Sequence, residues 1–73
     1  MTKRYEAKNQ RGLFFWAEPN GGGAGAVESY GVVSQAKGFP ATEAHDDWFA
    51  YLKDADEIAR QLAETNPGIG NQP

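Results

Sequence analysis

The apolar positions of this chain change their period about halfway along it. In the first half they come in short clusters. Residues 3–9 set Tyr5 and Ala7 among charged and polar neighbours, and residues 13–18, Leu-Phe-Phe-Trp-Ala-Glu, form a short aromatic run that favours a strand. Between them lies Asn9-Gln10-Arg11-Gly12, where Gly12 supplies the positive φ that a type I turn followed by a bulge requires. The pattern predicts a β-hairpin. Pro19 through Gly25 reads as a flexible loop, because proline cannot donate to a strand ladder and glycines lose much backbone entropy in a regular element. Residues 26–34 fit a third strand, with Val27 and Val33 on one face and Glu28, Tyr30 and Val32 on the other. Gly31 in its middle suggests a bulge or a close backbone approach, and Gln35 to Pro40 reads as a second turn.

In the second half Trp48, Tyr51, Leu52, Ala55, Ile58, Ala59, Leu62 and Ala63 recur at steps of three and four, the stripe of an amphipathic helix. Asp46 or Asp47 would cap its start, and Asn66-Pro67-Gly68 would end it. A second reading stays open: Asp54 and Glu57 have the spacing of a capping box, which would start the helix at 55 and leave 48–52 as a fourth strand or a separate short helix. The continuous stripe favours one helix. It makes Trp48 and Leu62 core residues whose truncation would cost about 2–4 kcal/mol. The expected fold is α+β: an antiparallel sheet of about three strands with one C-terminal helix packed on one face. Residues 1–66 form a single domain on this reading, and 67–73 a loose tail.

Seventy-three residues suffice for one domain and not for two. An apolar content of 40% is too high for a chain disordered throughout. The absence of cysteine excludes disulfides and thiolate metal sites and fits a reducing cytoplasm. No apolar run approaches a membrane span, and Met1 to Glu6 lacks the apolar region of a signal peptide. The net charge of −3 is uneven. The only acids in the first 37 residues are Glu6, Glu18 and Glu28, outnumbered by Lys3, Arg4, Lys8, Arg11 and Lys37. Beyond them only Lys53 and Arg60 oppose seven carboxylates. Two oppositely charged surfaces follow, whether merely solvated or facing different partners.

No motif here specifies chemistry. Gly21 to Ala26 matches G-x-G-x-x-A formally, but it precedes a predicted strand instead of opening a helix, so it is no cradle for a pyrophosphate. Glu43-Ala44-His45-Asp46-Asp47 offers ligand types for a divalent metal without the spacing of a known site. Ser29 or Ser34 with His45 and Asp46 provides the residue types of a triad with no nucleophile elbow. We therefore expect neither catalysis nor a cofactor.

The informative feature is Leu13-Phe14-Phe15-Trp16. Neighbours in a strand point to opposite faces, and one helix covers one face only. The other face should then expose a large aromatic, which marks a partner surface. Arg11, Phe15, Trp16 and Tyr30 are the candidate contacts, since interface hot spots favour Trp, Tyr and Arg. A second reading uses Lys3, Arg4, Lys8 and Arg11 with the aromatics to stack single-stranded nucleic acid. A third has Asp46, Asp47, Asp54, Asp56, Glu57 and Glu64 mimic DNA phosphates.

Arg4 to Asn9, Arg11 to Trp16 and Lys53 to Leu62 together resemble a pattern of small bacteriophage accessory proteins, in which a short hairpin of the form xYxxKNxRGxYW leads to a helix of the form xxxAxxIAxxL. The resemblance spans about half the chain and carries over no site residue. It implies a phage or prophage early product that binds and inhibits a host protein. The leading expectation is thus a non-enzymatic, cytoplasmic protein-binding module that occludes a surface of a host enzyme or defence complex. Its partner would be a host protein, with nucleic acid or a second copy of the chain as alternatives and no membrane involved.

Overall fold

A computed structural model describes residues 3–21 and 27–66. Four strands, β1 (Tyr5–Glu6), β2 (Leu13–Gly21), β3 (Val27–Ala36) and β4 (Thr42–Glu43), pair antiparallel in sequence order. One helix, α1 (Leu52–Thr65), packs on the sheet. The α+β class is as expected, with one strand more than the three anticipated.

The hairpin forms where Gly12 predicts it, with φ of +88°. The Ala7 amide donates to the Leu13 carbonyl at 2.7 Å, and the Gly12 amide donates to Glu6 Oε2 at 2.9 Å. The Ala7–Leu13 bond also sets the parity of β2. Odd-numbered residues direct their backbone groups toward the β1 side, because alternate residues of a strand face alternate neighbours. Pro19 therefore turns its nitrogen away from β3, loses no bond there, and pairs with Tyr30 inside the strand. This corrects the loop expected from Pro19 onward: β2 continues to Gly21. The register shift falls at Asn20/Gly21, while Gly31 pairs regularly with Glu18. The rest of the predicted glycine loop, 22–26, and the predicted tail, 67–73, lie outside the described residues.

Leu13 pairs with Ala36, Phe15 with Ser34 and Ala17 with Val32, which puts these side chains on one face. The helix lays Ala55, Ala59 and Ala63 against that face, and all three are buried with Leu13, Phe15, Ala17 and Val32. The spacing of four residues makes a stripe of methyl groups, so the helix backbone comes close to the large side chains of the sheet. Ile58 and Leu62 are half-buried against the same core. Both ends of the helix are tied to the sheet. The Tyr5 hydroxyl donates to Asp56 Oδ2 at 2.7 Å. At the other end, the Lys8 amide donates to the Ala63 carbonyl at 2.8 Å and Asn9 Nδ2 to the Asn66 carbonyl at 2.6 Å, satisfying acceptors that a helix terminus leaves open.

The helix starts later than the apolar stripe predicts. Phe49 exchanges two backbone bonds with Tyr30, at 2.7 and 2.8 Å, and is held extended on the edge of β3. Tyr51 is the N-cap, without a side-chain cap, so neither Asp46 nor Asp47 serves that role. The capping box is not formed either, since Glu57 bonds Arg60 and Gln61. Trp48, Tyr51 and Leu52 are exposed, not core.

Two stability measurements follow. Ala59→Leu forces extra volume between helix and sheet and should cost about 1–3 kcal/mol or more, while Trp48→Ala should stay within about 0.5 kcal/mol. Chemical denaturation of both variants checks this. The second concerns Tyr5. Its bond to the Asp56 carboxylate, then burial, hold its phenol above the ordinary value of 10. The neutral phenol is the bonded form, so its stabilisation is complete below pH 10 and is lost as pH rises through the raised value. Urea unfolding above pH 10 should therefore show a steeper loss of stability in the parent than in Tyr5→Phe.

Candidate partner-binding surface

Phe15 and Trp16 do point to opposite faces, yet both are buried, at 5% and 6% exposure. Phe15 lies under the helix. Trp16 lies on the other face, where the Arg4 guanidinium stacks 4.1 Å from its ring centroid and its indole N–H donates to Glu18 Oε2 at 2.9 Å. The expectation that one ring of the pair is exposed is thus corrected. It followed from one helix covering only one face, whereas a flat guanidinium stacked on an aromatic ring also shields it from water. Tyr30 is half-buried, on the Phe15 face and against the core, with its backbone bonded to Phe49. Arg11 alone of the four sits exposed, in the hairpin turn. These residues do not make one surface.

The basic hairpin is likewise occupied. The Lys3 ammonium lies 5.2 Å from the Tyr5 ring centroid, as Arg4 lies on Trp16, so cations of the chain itself sit where bases would stack. Among the six acidic candidates, Glu57 and Glu64 both bond Arg60, and Asp56 accepts from Tyr5. The bonds from Arg60, then Gln61, lower the Glu57 carboxyl, and Glu57 in turn raises Arg60. Asp46, Asp47 and Asp54 are exposed around the start of the helix.

That region holds the surface that sequence reasoning missed. The Ala44 amide bonds the Val32 carbonyl and Phe49 bonds Tyr30, so residues 45–48 loop out from the edge of β3. The loop is braced by the Asp47 amide donating to His45 Nδ1 at 3.2 Å and by the His45 ring 5.6 Å from that of Phe49. Trp48 projects from it at 53% exposure, and Tyr51 follows at 65%. Trp48 borders a cleft of about 90 Å³ over Gly31, Val32 and Val33, with the carboxylates of Glu18, Glu43 and Asp47 around it. The one sequence signal that set 48–52 apart from the helix was the Asp54–Glu57 spacing, although that box does not form and the helix begins at Leu52.

Of the triad types, Ser34 is buried. Among the described residues no group of three or more His, Asp or Glu side chains is placed to hold a metal ion, and no helix is long and apolar enough to cross a membrane. No protein-family model matches the chain, and no curated protein or solved structure shows significant similarity to it.

The two tryptophans give a direct check on this geometry. Acrylamide should quench the parent efficiently through Trp48. In Trp48→Phe, where Trp16 is the remaining emitter, the quenching constant should fall several-fold; in Trp16→Phe it should not fall.

Proposed function

We propose that this chain is a non-enzymatic protein-binding module that acts by covering part of a partner's surface, and that Trp48, Tyr51 and Leu52 are its contact residues. The observation that carries this reading is the exposure of three large apolar side chains within five residues of a braced loop and helix start. Exposed aromatics on a fixed frame lose little side-chain entropy on binding and are favoured as hot spots. Asp46, Asp47 and Asp54, close by in sequence and exposed, oppose a phosphate-bearing partner, which supports a protein partner over nucleic acid. The two alternatives are weaker on the same observations. Tyr5 and Trp16 carry the chain's own cations, and half of the acidic set is engaged internally. The resemblance to phage accessory proteins supports a host protein as partner, met in the host cytoplasm and inhibited by occlusion.

Capture from bacterial lysate, with and without nuclease, tests the proposal. The expected result is a partner that survives nuclease, is lost with Trp48→Ala and is retained with Arg11→Ala. A partner that disappears with nuclease, or that is indifferent to Trp48, contradicts it.

A further inference from the structure

The cleft beside Trp48 says more about the partner. It is lined by Pro19, Gly31, Val33 and Trp48, with His45 beside them and Val32 contributing backbone only, since its side chain is buried on the opposite face. Glu18, Glu43 and Asp47 supply three carboxylates around it. Glu18 already accepts the Trp16 indole N–H through Oε2, which fixes its side chain at the cleft. An aromatic ring beside carboxylates, with Pro19 and Val33 as aliphatic lining, suits a long cationic side chain: the methylene stem packs on the aliphatic lining, and the charged head meets ring and carboxylates. The cleft is small, about 90 Å³, and open to solvent on one side. Outside the cleft, Tyr51 and Leu52 are exposed apolar side chains three and four residues beyond Trp48 along the chain.

Resting on the protein-binding reading above, we infer that the surface around Trp48 docks a basic amphipathic protein segment, one lysine or arginine of which enters the cleft while a neighbouring apolar residue packs on Tyr51 and Leu52. Charge complementarity selects this occupant. A second copy meeting this surface through the same face would bring the same carboxylates together, and an anionic lipid or a nucleic acid would be repelled.

The probe is a fluorescently labelled amphipathic peptide of leucine and lysine, compared with peptides in which glutamine or glutamate replaces every lysine. Anisotropy at low salt should show the lysine peptide binding at least tenfold more tightly than the glutamine peptide, and the glutamate peptide not binding. Trp48→Ala and the double variant Glu43→Gln with Asp47→Asn should each weaken the lysine peptide at least fivefold. Glu64→Gln, which removes a carboxylate away from the cleft, should change it less than twofold. Failure of the lysine peptide to bind overturns the inference, as does an equal loss with Glu64→Gln, which marks unspecific attraction. Equal binding of the glutamine peptide that still depends on Trp48 also overturns it, but leaves the protein-binding reading standing. Binding indifferent to Trp48→Ala removes both.

Discussion

The close approach of a helix to a sheet through three alanines is the contact on which the rest of this molecule depends. Ala55, Ala59 and Ala63 present only methyl groups to a sheet face that carries Leu13, Phe15 and Val32. A chain of this length buries little surface, so large residues on both layers would hold them apart and leave gaps. Assigning the bulk to the sheet and the small residues to the helix closes the interface. The consequence is that the large apolar residues of the helical half are left at its margins. Ile58 and Leu62 are half-buried, and Trp48, Tyr51 and Leu52 lie outside. The exposed surface is a product of the same packing rule that makes the core.

The opposite face of the sheet shows a different solution to coverage. Trp16 has no helix above it, yet Arg4 stacks on its ring and Glu18 accepts its indole proton. The two charges flank the ring with opposite signs, so a large aromatic is removed from water by side chains that themselves remain exposed. The hairpin aromatics are thereby structural, and the chain's conspicuous aromatic cluster is not its free one.

Much of the fold was legible in the pattern. Gly12 announced the hairpin, the alternation in β2 separated Phe15 from Trp16, and the three- and four-residue steps from Ala55 to Ala63 gave the core face of the helix. What was not legible depended on partners distant in sequence. Pro19 reads as a breaker until the parity fixed by Ala7 and Leu13 shows that its missing donor faces outward. Trp48 and Tyr51 continue the helical period in sequence, but the two bonds between Phe49 and Tyr30 hold the chain extended ahead of Leu52, where the helix begins. Local periodicity has no access to that competition. The candidate site shifted for the same reason: of Arg11, Phe15, Trp16 and Tyr30 only Arg11 is exposed, while Trp48 and Tyr51 are exposed where the stripe placed core.

The central claim is therefore a division of labour between two tryptophans, Trp16 structural and Trp48 in contact with the partner. Their indole N–H signals are separate reporters in a nitrogen-15 correlation spectrum. Titration with the captured partner should move or broaden the Trp48 indole and the amides of residues 43–54, and leave the Trp16 indole and the hairpin amides in place. Movement of the Trp16 signal and of residues 3–16, with Trp48 unchanged, would contradict the account.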